Sequence, residues 1–310
     1  MPVEPVLKGS KGDKRSMRTH RGRAHGPAIL GAAILVAGSL GAPLAGQATP
    51  GVDIRIAIPG EVQQLDLADG SKLVGRVISD GDPVEFRLTS GSVLQVARAN
   101  IRGLETMEGK VSRGRFWRKD PSSNRLFFGP TGRMVGQGHG YVAVFEAVFP
   151  SVSYGFHDRI TLGGGTLMMG DFGENHPFWV LPKVNLVEQE KVAVSVGALG
   201  FFAGDDELGV LYGVGTFGPP DHAVTLGVAR GRMSHDPDAI TAFQLGAEVR
   251  VHENFKLMTE NYLISHESEY FGLFGGGVRF VGERLTADLG VGIPDDEFII
   301  LPLVNFVWNW

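Results

Sequence analysis

The 310 residues contain no cysteine, which excludes a disulfide framework, a thiolate metal site and a lipid-attachment cysteine. Long apolar runs are missing beyond residue 50. The most apolar stretches there, near 141–149 and 298–308, are broken by charge, asparagine or proline, so neither supplies the roughly twenty apolar residues of a membrane-crossing helix. Familiar catalytic loops are missing too. No Gly-x-Ser-x-Gly elbow occurs, and the runs Gly163–Gly165 and Gly275–Gly277 lack the lysine and helix of a phosphate-binding loop.

Basic charge is concentrated at one end. Lys8, Lys11, Lys14, Arg15, Arg18, Arg21 and Arg23 precede the uncharged stretch Ala28–Ala37, and Gly46-Gln47-Ala48 offers a small-x-small cleavage site. Residues 1–48 therefore read as a secretory signal peptide, with Pro43 ending its apolar helix and Met17 as an alternative start. A membrane anchor is the competing reading, disfavoured by Gly31, Gly38, Gly41 and Pro43. Removing those seven bases and two acids (Glu4, Asp13) from totals of 29 and 34 leaves 22 Lys+Arg against 32 Asp+Glu, a net charge of −10. That balance argues against a nucleic-acid partner, which would need a basic face.

What is abundant is glycine, at 45 of 310 residues, about twice the ordinary share of roughly 7%. Hydrophobic residues make up 43% without helical periodicity. In the final segment, Phe298–Trp310, strand alternation puts Val304, Phe306, Trp308 and Trp310 on one side and Asn305 and Asn309 on the other. This pattern predicts the closing strand of an all-β membrane barrel. The first four residues then face lipid as assembly and anchoring groups, engaging outer-membrane lipid and the barrel-assembly machinery.

Residues 52–106 have a different grammar. Short runs at Lys72–Ile78, Val84–Leu88, Ser92–Val96 and Ile101–Leu104 are separated by turns at Asp69-Gly70, Asp80–Asp82 and Ser90-Gly91. Alternation along Leu73–Ile78 predicts a small closed barrel with one interior. The pattern Asp-Gly-Ser-x-Leu-x-Gly-Arg-Val over 69–77, followed by a Ser-Gly turn and Ile-x-x-Leu at 101–104, resembles SH3-like or Sm-like barrels over about forty residues. The Sm-like resemblance implies RNA binding in some members, but the segment has no basic aromatic cluster; a periplasmic interaction module that binds another protein is the preferred reading. Residues 107–124 form a linker with five bases plus Phe116 and Trp117. It is either an anchor at the headgroup level or a solvated connector.

Residues 125–310 alternate strands with brief polar breaks. The expected strands are 125–131, 139–156, 160–170, 177–187, 191–202, 207–217, 222–232, 239–251, 255–265, 270–281, 284–293 and 298–309, with Pro150 at a bulge. Twelve strands (within a range of 10–12) make the even number that a single-chain bacterial barrel needs. Connections at 157–159, 188–190, 218–221, 252–254 and 282–283 are tight and would face the periplasm; the opposite set is longer, yet too short for a plug loop. Asp120–Thr131 and Gly155–Gly165 resemble segments of uncharacterised outer-membrane β-barrel proteins of Gram-negative bacteria. The resemblance implies a fold and a cell outer-membrane location, with the small domain in the periplasm, and carries no catalytic motif.

Alternation points Lys183, Gln244, Glu248, Arg250, Lys256, Glu260, Arg279, Arg284 and Asp288 into the lumen, with Glu146 as a further candidate. Five bases against four acids suit either a narrow pore or a lumen filled with mutually neutralising side chains. Small inward residues on 160–170, 191–202 and 207–217 leave space on the opposite wall. The longer loops carry a rim of carboxylates, Asp171, Glu174, Asp205, Asp206, Glu207, Asp236, Asp238, Glu267, Glu269, Asp295, Asp296 and Glu297, suited to bridging cations. His235, Asp236 and Asp238, or His266, Glu267 and Glu269, have metal-ligand types without a defining spacing. No cofactor is implied. The leading functional reading is a narrow passive, porin-like channel for small solutes or ions. A structural, envelope-organising protein is the alternative. The third reading is a lipid-modifying enzyme, for which Ser153, His157 and Asp158 would have to meet.

Overall fold

A computed structural model of the chain describes residues 52–169, 175–236, 238–267, 269–295 and 299–310. The segment expected to be a signal peptide and the rim carboxylates Asp171, Glu174, Asp296 and Glu297 lie outside the described residues.

The first five strands are β1 (Val62–Leu67), β2 (Lys72–Ser79), β3 (Val84–Leu88), β4 (Val93–Val96) and β5 (Ile101–Met107). They pair in the order β4-β3-β2-β1-β5, all antiparallel. Alternate side chains from this sheet, with Ile54, enclose one core built on Leu65, Val77, Val84, Phe86 and Ile101. The interior was legible, the closure was not: β4 and β5 are joined by the short 3-10 turn Arg98–Asn100 and form no ladder, so the sheet is curled and open.

A clamp outside that core ties residue 55 to β5. Arg55 donates to Glu61 Oε2 (2.8 Å) and to Thr106 Oγ1 (2.8 Å), while Thr106 donates to Glu61 Oε1 (2.6 Å). The hydrogen bond from Arg55, helped by those from Thr106 and the Ile58 amide, lowers the Glu61 carboxyl to about 2. Its folded value lies below its unfolded one, so the clamp stabilises fully above the ordinary carboxylate range and is lost as pH falls towards 2. We expect segment 52–107 of wild type to resist urea better than that of Glu61→Gln at pH 5, and the two midpoints, followed by pulsed hydrogen exchange, to converge near pH 2.

The linker is a hairpin. β6 (Gly109–Ser112) pairs with β7 (Arg115–Arg118), so it is a folded element rather than an irregular connector. Its bases meet the tight turns of the large barrel: Lys110 with Asp221 (2.5 Å), Arg115 with Glu253 (3.5 Å) and Arg118 with Glu283 (3.9 Å).

The remaining strands are β8 (Gly140–Phe145), β9 (Phe149–His157), β10 (Ile160–Thr166), β11 (Phe178–Gln189), β12 (Val192–Ala203), β13 (Asp206–Phe217), β14 (His222–Met233), β15 (Ala239–His252), β16 (Phe255–His266), β17 (Glu269–Val281), β18 (Leu285–Pro294) and β19 (Leu301–Asn309). Each pairs antiparallel with the next, and β19 returns to β8 through pairs such as Phe306 with Val144 and Trp308 with Val142. The result is a closed twelve-stranded barrel. The β11–β12 ladder runs from Val180 opposite Gly200 to Lys183 opposite Gly197 and skips Leu181 and Pro182 between them; proline has no N–H to donate.

Twelve is the expected number, reached by a different division of the chain. Residues 125–131 form no strand, with a single bridge between Arg125 and Pro130. The expected strand 139–156 is instead the hairpin β8–β9, with Pro150 paired opposite Val144 rather than at a bulge. Its turn uses Glu146 and Ala147 at φ 49° and 59°, a left-handed conformation rare without glycine or asparagine. Glu146 is therefore a turn residue, and its carboxylate accepts from the Val304 amide (3.1 Å).

Outward residues of the barrel form a continuous apolar surface. Leu211 is 71% and Phe156 60% exposed, and β15 alone presents Phe243, Leu245, Val249 and Val251. An apolar surface of that extent on a soluble protein would drive association, whereas it matches the hydrocarbon-facing band of a spanning barrel. On β19, Phe306 and Trp308 point outward, as does Trp310 beyond its end, with Val304 half-buried on the same side; Asn305, Val307 and Asn309 are buried on the other.

Candidate functional site: a plugged lumen and a chamber above it

Between β7 and β8, residues 119–139 enter the barrel from the end that carries the tight turns. The segment folds back at Leu126–Gly129, where the Leu126 amide donates to the Gly129 carbonyl (2.9 Å), and leaves again towards Gly140. With almost no secondary structure, its backbone N–H and C=O groups have to be satisfied by something else. The barrel wall does this.

The inward residues predicted from alternation are now placed. Arg279 donates to the plug carbonyls of Ser122 (2.8 Å), Arg125 (3.2 Å) and Leu126 (2.7 Å). Lys183 donates to those of Arg133 (2.6 Å), Asn124 and Thr131 (3.3 Å each). Glu260 accepts from the amides of Phe128 (3.1 Å) and Gly129 (2.7 Å), and also from the Tyr262 hydroxyl. Gln244 donates to the Pro130 carbonyl at 3.4 Å.

Ion pairs complete the seat. Asp288 accepts from Arg125 of the plug (2.6 Å) and from Arg279 of the wall (2.6 Å). Glu248 accepts from Arg133 (2.6 Å) and Lys256 (2.9 Å), and Lys256 reaches Asp120 at 2.7 Å. These groups are almost wholly buried. Arg250 sits nearer the rim, 3.7 Å from Asp221 with its guanidinium over the Trp117 ring. Arg284 is a correction: β18 begins at Leu285, so Arg284 lies beyond the ladder, exposed in the turn, where its carbonyl accepts from Asn309.

Sequence reasoning missed Asp120, Arg125 and Arg133, because 120–124 was read as linker, 125–131 as wall and 132–138 as one of the longer connections at the opposite end, whereas Gly132 and Arg133 lie inside the lumen as part of the plug. A signal was present. Pro121, Gly129, Pro130, Gly132, Gly136 and Gly138 are too closely spaced for a strand of useful length. The wall has hollows to match. Leu126 and Phe127 are fully buried; Leu126 covers Gly246, and the Phe127 ring lies where a Cβ on Gly290 would come within 3.1–3.2 Å.

The plug occupies the part of the lumen nearest the tight turns. Beyond its tip lies a cavity of about 510 Å³, floored by Phe128 and Pro130 and walled by Phe145, Phe149, Trp179 and Phe201. Phe128 and Phe145 touch with ring centroids 6.1 Å apart.

The remaining candidates do not assemble as the sequence suggested. Ser153 is buried on the inner wall, whereas His157 and Asp158 are exposed at the turn; the His157 ring accepts from the Arg159 amide (3.1 Å) and Asp158 from that of Gln137 (3.0 Å). On the rim, His235 faces Asp206 at 3.9 Å rather than Asp236 and Asp238. Asp236 instead pairs with His266 (2.8 Å), and Glu267 completes a group of three potential ligands from two loops.

No protein-family model matches the sequence, and no curated protein matches it significantly. Among solved structures, a KdgM porin in complex with disordered oligogalacturonate is 8% identical, with a TM-score of 0.40 over 55% of this chain and 95% of its own. A NanC porin is 8% identical, with a TM-score of 0.41 over 55% of this chain and 97% of its own. A loop-deletion variant of OmpT, an outer membrane protein of Vibrio cholerae, is 14% identical, with a TM-score of 0.35 over 81% and 96%. All three scores fall below 0.5, and the strand number and closure described above are those of this barrel's own ladders.

Proposed function

We propose that the chain is an outer-membrane protein and a narrow passive conduit for small solutes, with the plug as its closure. The barrel would cross the bilayer with its tight turns, hairpin β6–β7 and the small sheet on the periplasmic side, and β19 would engage the assembly machinery. One observation carries the reading: the lumen is divided between an open chamber and a segment held by side-chain contacts that can be exchanged without breaking any strand ladder. Passage then requires the plug to shift, since the wall charges that would line a pore are engaged with it.

Planar-bilayer recordings of the full chain test this. Wild type should be closed with rare, small openings, and Glu248→Gln, which loosens both Arg133 and Lys256, should raise the open fraction at least tenfold. A barrel that stays silent in both forms at every voltage contradicts a conduit. The location has its own test, since recovery of the folded chain from the periplasm without detergent would refute it.

A structural role is the second reading, favoured by β4. This edge strand exposes Val93 and Leu94, and an unpaired edge can accept a strand from a partner protein. The strand order of the small sheet, with β1 between β2 and β5, is compatible with an SH3-like or Sm-like assignment, and the partner proposed for it is a periplasmic protein.

A further inference from the structure

We propose that the chamber above the plug is a binding site for an uncharged, largely apolar small molecule that carries one hydrogen-bonding group. The inference goes beyond conduction, because such a site would work in a barrel that never opens.

The size is right. About 510 Å³ lies within the range of roughly 300–1,000 Å³ typical of small-molecule sites. The wall is of the wrong kind for ions or water. Water-filled barrels carry polar interiors, yet this part of the lumen presents Phe149, Trp179, Leu181, Leu199, Phe201 and Val210. The space is left by small inward residues at Gly163, Ala229 and Ala242; Ala229 and Ala242 are opposite each other in the β14–β15 ladder. At Gly163 a Cβ would meet nothing closer than 3.6 Å, so glycine there is not required by packing.

Charge on the ligand is disfavoured because the cations at the wall are engaged. Lys183 spends its donors on three plug carbonyls, and Arg125 has its charge met by Asp288 through Nη1, with its guanidinium over the Phe145 ring at 5.1 Å and its Nε and Nη2 buried without a hydrogen-bond partner. The other unpartnered groups at the chamber wall are neutral. Thr161 Oγ1, the Tyr212 hydroxyl and Asn124 Oδ1 are buried without a hydrogen-bond partner, and all three residues line the chamber. Thr161 is only 4% exposed. Buried polar groups are normally satisfied, so an orphaned set at the wall of an apolar cavity points to a missing partner. An apolar chamber of this size that stays unfilled also forfeits dispersion contacts along its lining.

One other source has the same chemistry: a lipid acyl chain, entering where the β11–β12 ladder skips Leu181 and Pro182. The experiment separates the two. The full chain in detergent-free lipid nanodiscs is titrated with 6-bromo-2-naphthol, and the quenching of Trp179 is taken as the difference between wild type and Trp179→Phe. Saturable quenching is expected, weakened at least tenfold by Gly163→Leu and by Ala242→Leu, two independent fillings of the same space. Thr161→Val should weaken 6-bromo-2-naphthol severalfold and leave 2-bromonaphthalene unchanged. Unsaturable quenching that is equal in wild type and both filled variants overturns the proposal, as it places the probe in the bilayer alone. A phospholipid retained in native mass spectra of wild type, released by Gly163→Leu and not displaced by the naphthol, overturns it in favour of an acyl chain.

Discussion

Replacing Asp288 with alanine lowers the unfolding free energy of the barrel by about 3–5 kcal/mol, the range for breaking a buried ion pair by removing one partner. Among the described residues, Asp288 is the one carboxylate that holds both Arg125 of the plug and Arg279 of the wall, at 2.6 Å each. It is fully buried, and Arg279 with it. Without Asp288, Arg125 has no carboxylate partner among the described residues, and Arg279 keeps only Asp120 at 3.4 Å. The loss comes mainly from the guanidinium groups left behind rather than from the pair itself. Arg125→Ala should therefore cost less than Asp288→Ala, since it leaves Asp288 still paired with Arg279. Urea titrations of the barrel refolded in lipid vesicles measure both, and equal losses would contradict the assignment.

Gly132→Ala unseats the plug. A Cβ at this position would come within 2.6 Å of the Ala193 carbonyl carbon, closer to its oxygen, and 3.1 Å from the Thr216 amide, all of them wall backbone. Nothing there is a flexible side-chain end that can give way. The same residue is held on both sides, donating to Thr216 Oγ1 (2.8 Å) and accepting from Ser195 Oγ (2.7 Å). The strand ladders do not involve Gly132, so the barrel closes while the plug is displaced. Trypsin reports the change. Arg125 and Arg133 are 2% and 7% exposed in the closed form, and cleavage after them should accelerate at least tenfold in Gly132→Ala, with the barrel strands still protected. Unchanged cleavage would mean that the segment tolerates the methyl group and is not seated by this contact.

The strands from 160 onward were legible because one physical rule governs them. Each has one face in the lumen and one outside, so a period of two persists, as in Gln244, Glu248 and Arg250 against Phe243, Leu245 and Val249. The same period identified Lys256, Glu260, Arg279 and Asp288 as inward. It could not say what they meet. The plug has no repeating face, because Arg125, Leu126 and Phe127 are all buried in succession, and an apolar pair flanked by polar residues passes for a short strand. The β8–β9 turn was hidden for a related reason: Glu146 and Ala147 are not turn-forming residues, and only their positive φ makes the hairpin. Arg284 failed at a boundary. Parity pointed inward, but the residue stands just past the end of the ladder.

The polar lumen thus becomes a socket for the chain's own backbone, and that is the claim on which the rest depends. The absence of native cysteine allows a direct test with Ser122→Cys combined with Thr286→Cys. These side chains bring plug and wall together with their hydroxyl oxygens 2.7 Å apart, close to the roughly 2.05 Å of a sulfur–sulfur bond. Mild oxidation of the folded, lipid-embedded double variant should form the cross-link to completion, leaving no thiol for maleimide after unfolding without reductant. Two thiols that stay free and maleimide-reactive in the folded barrel would contradict a plug seated in the lumen.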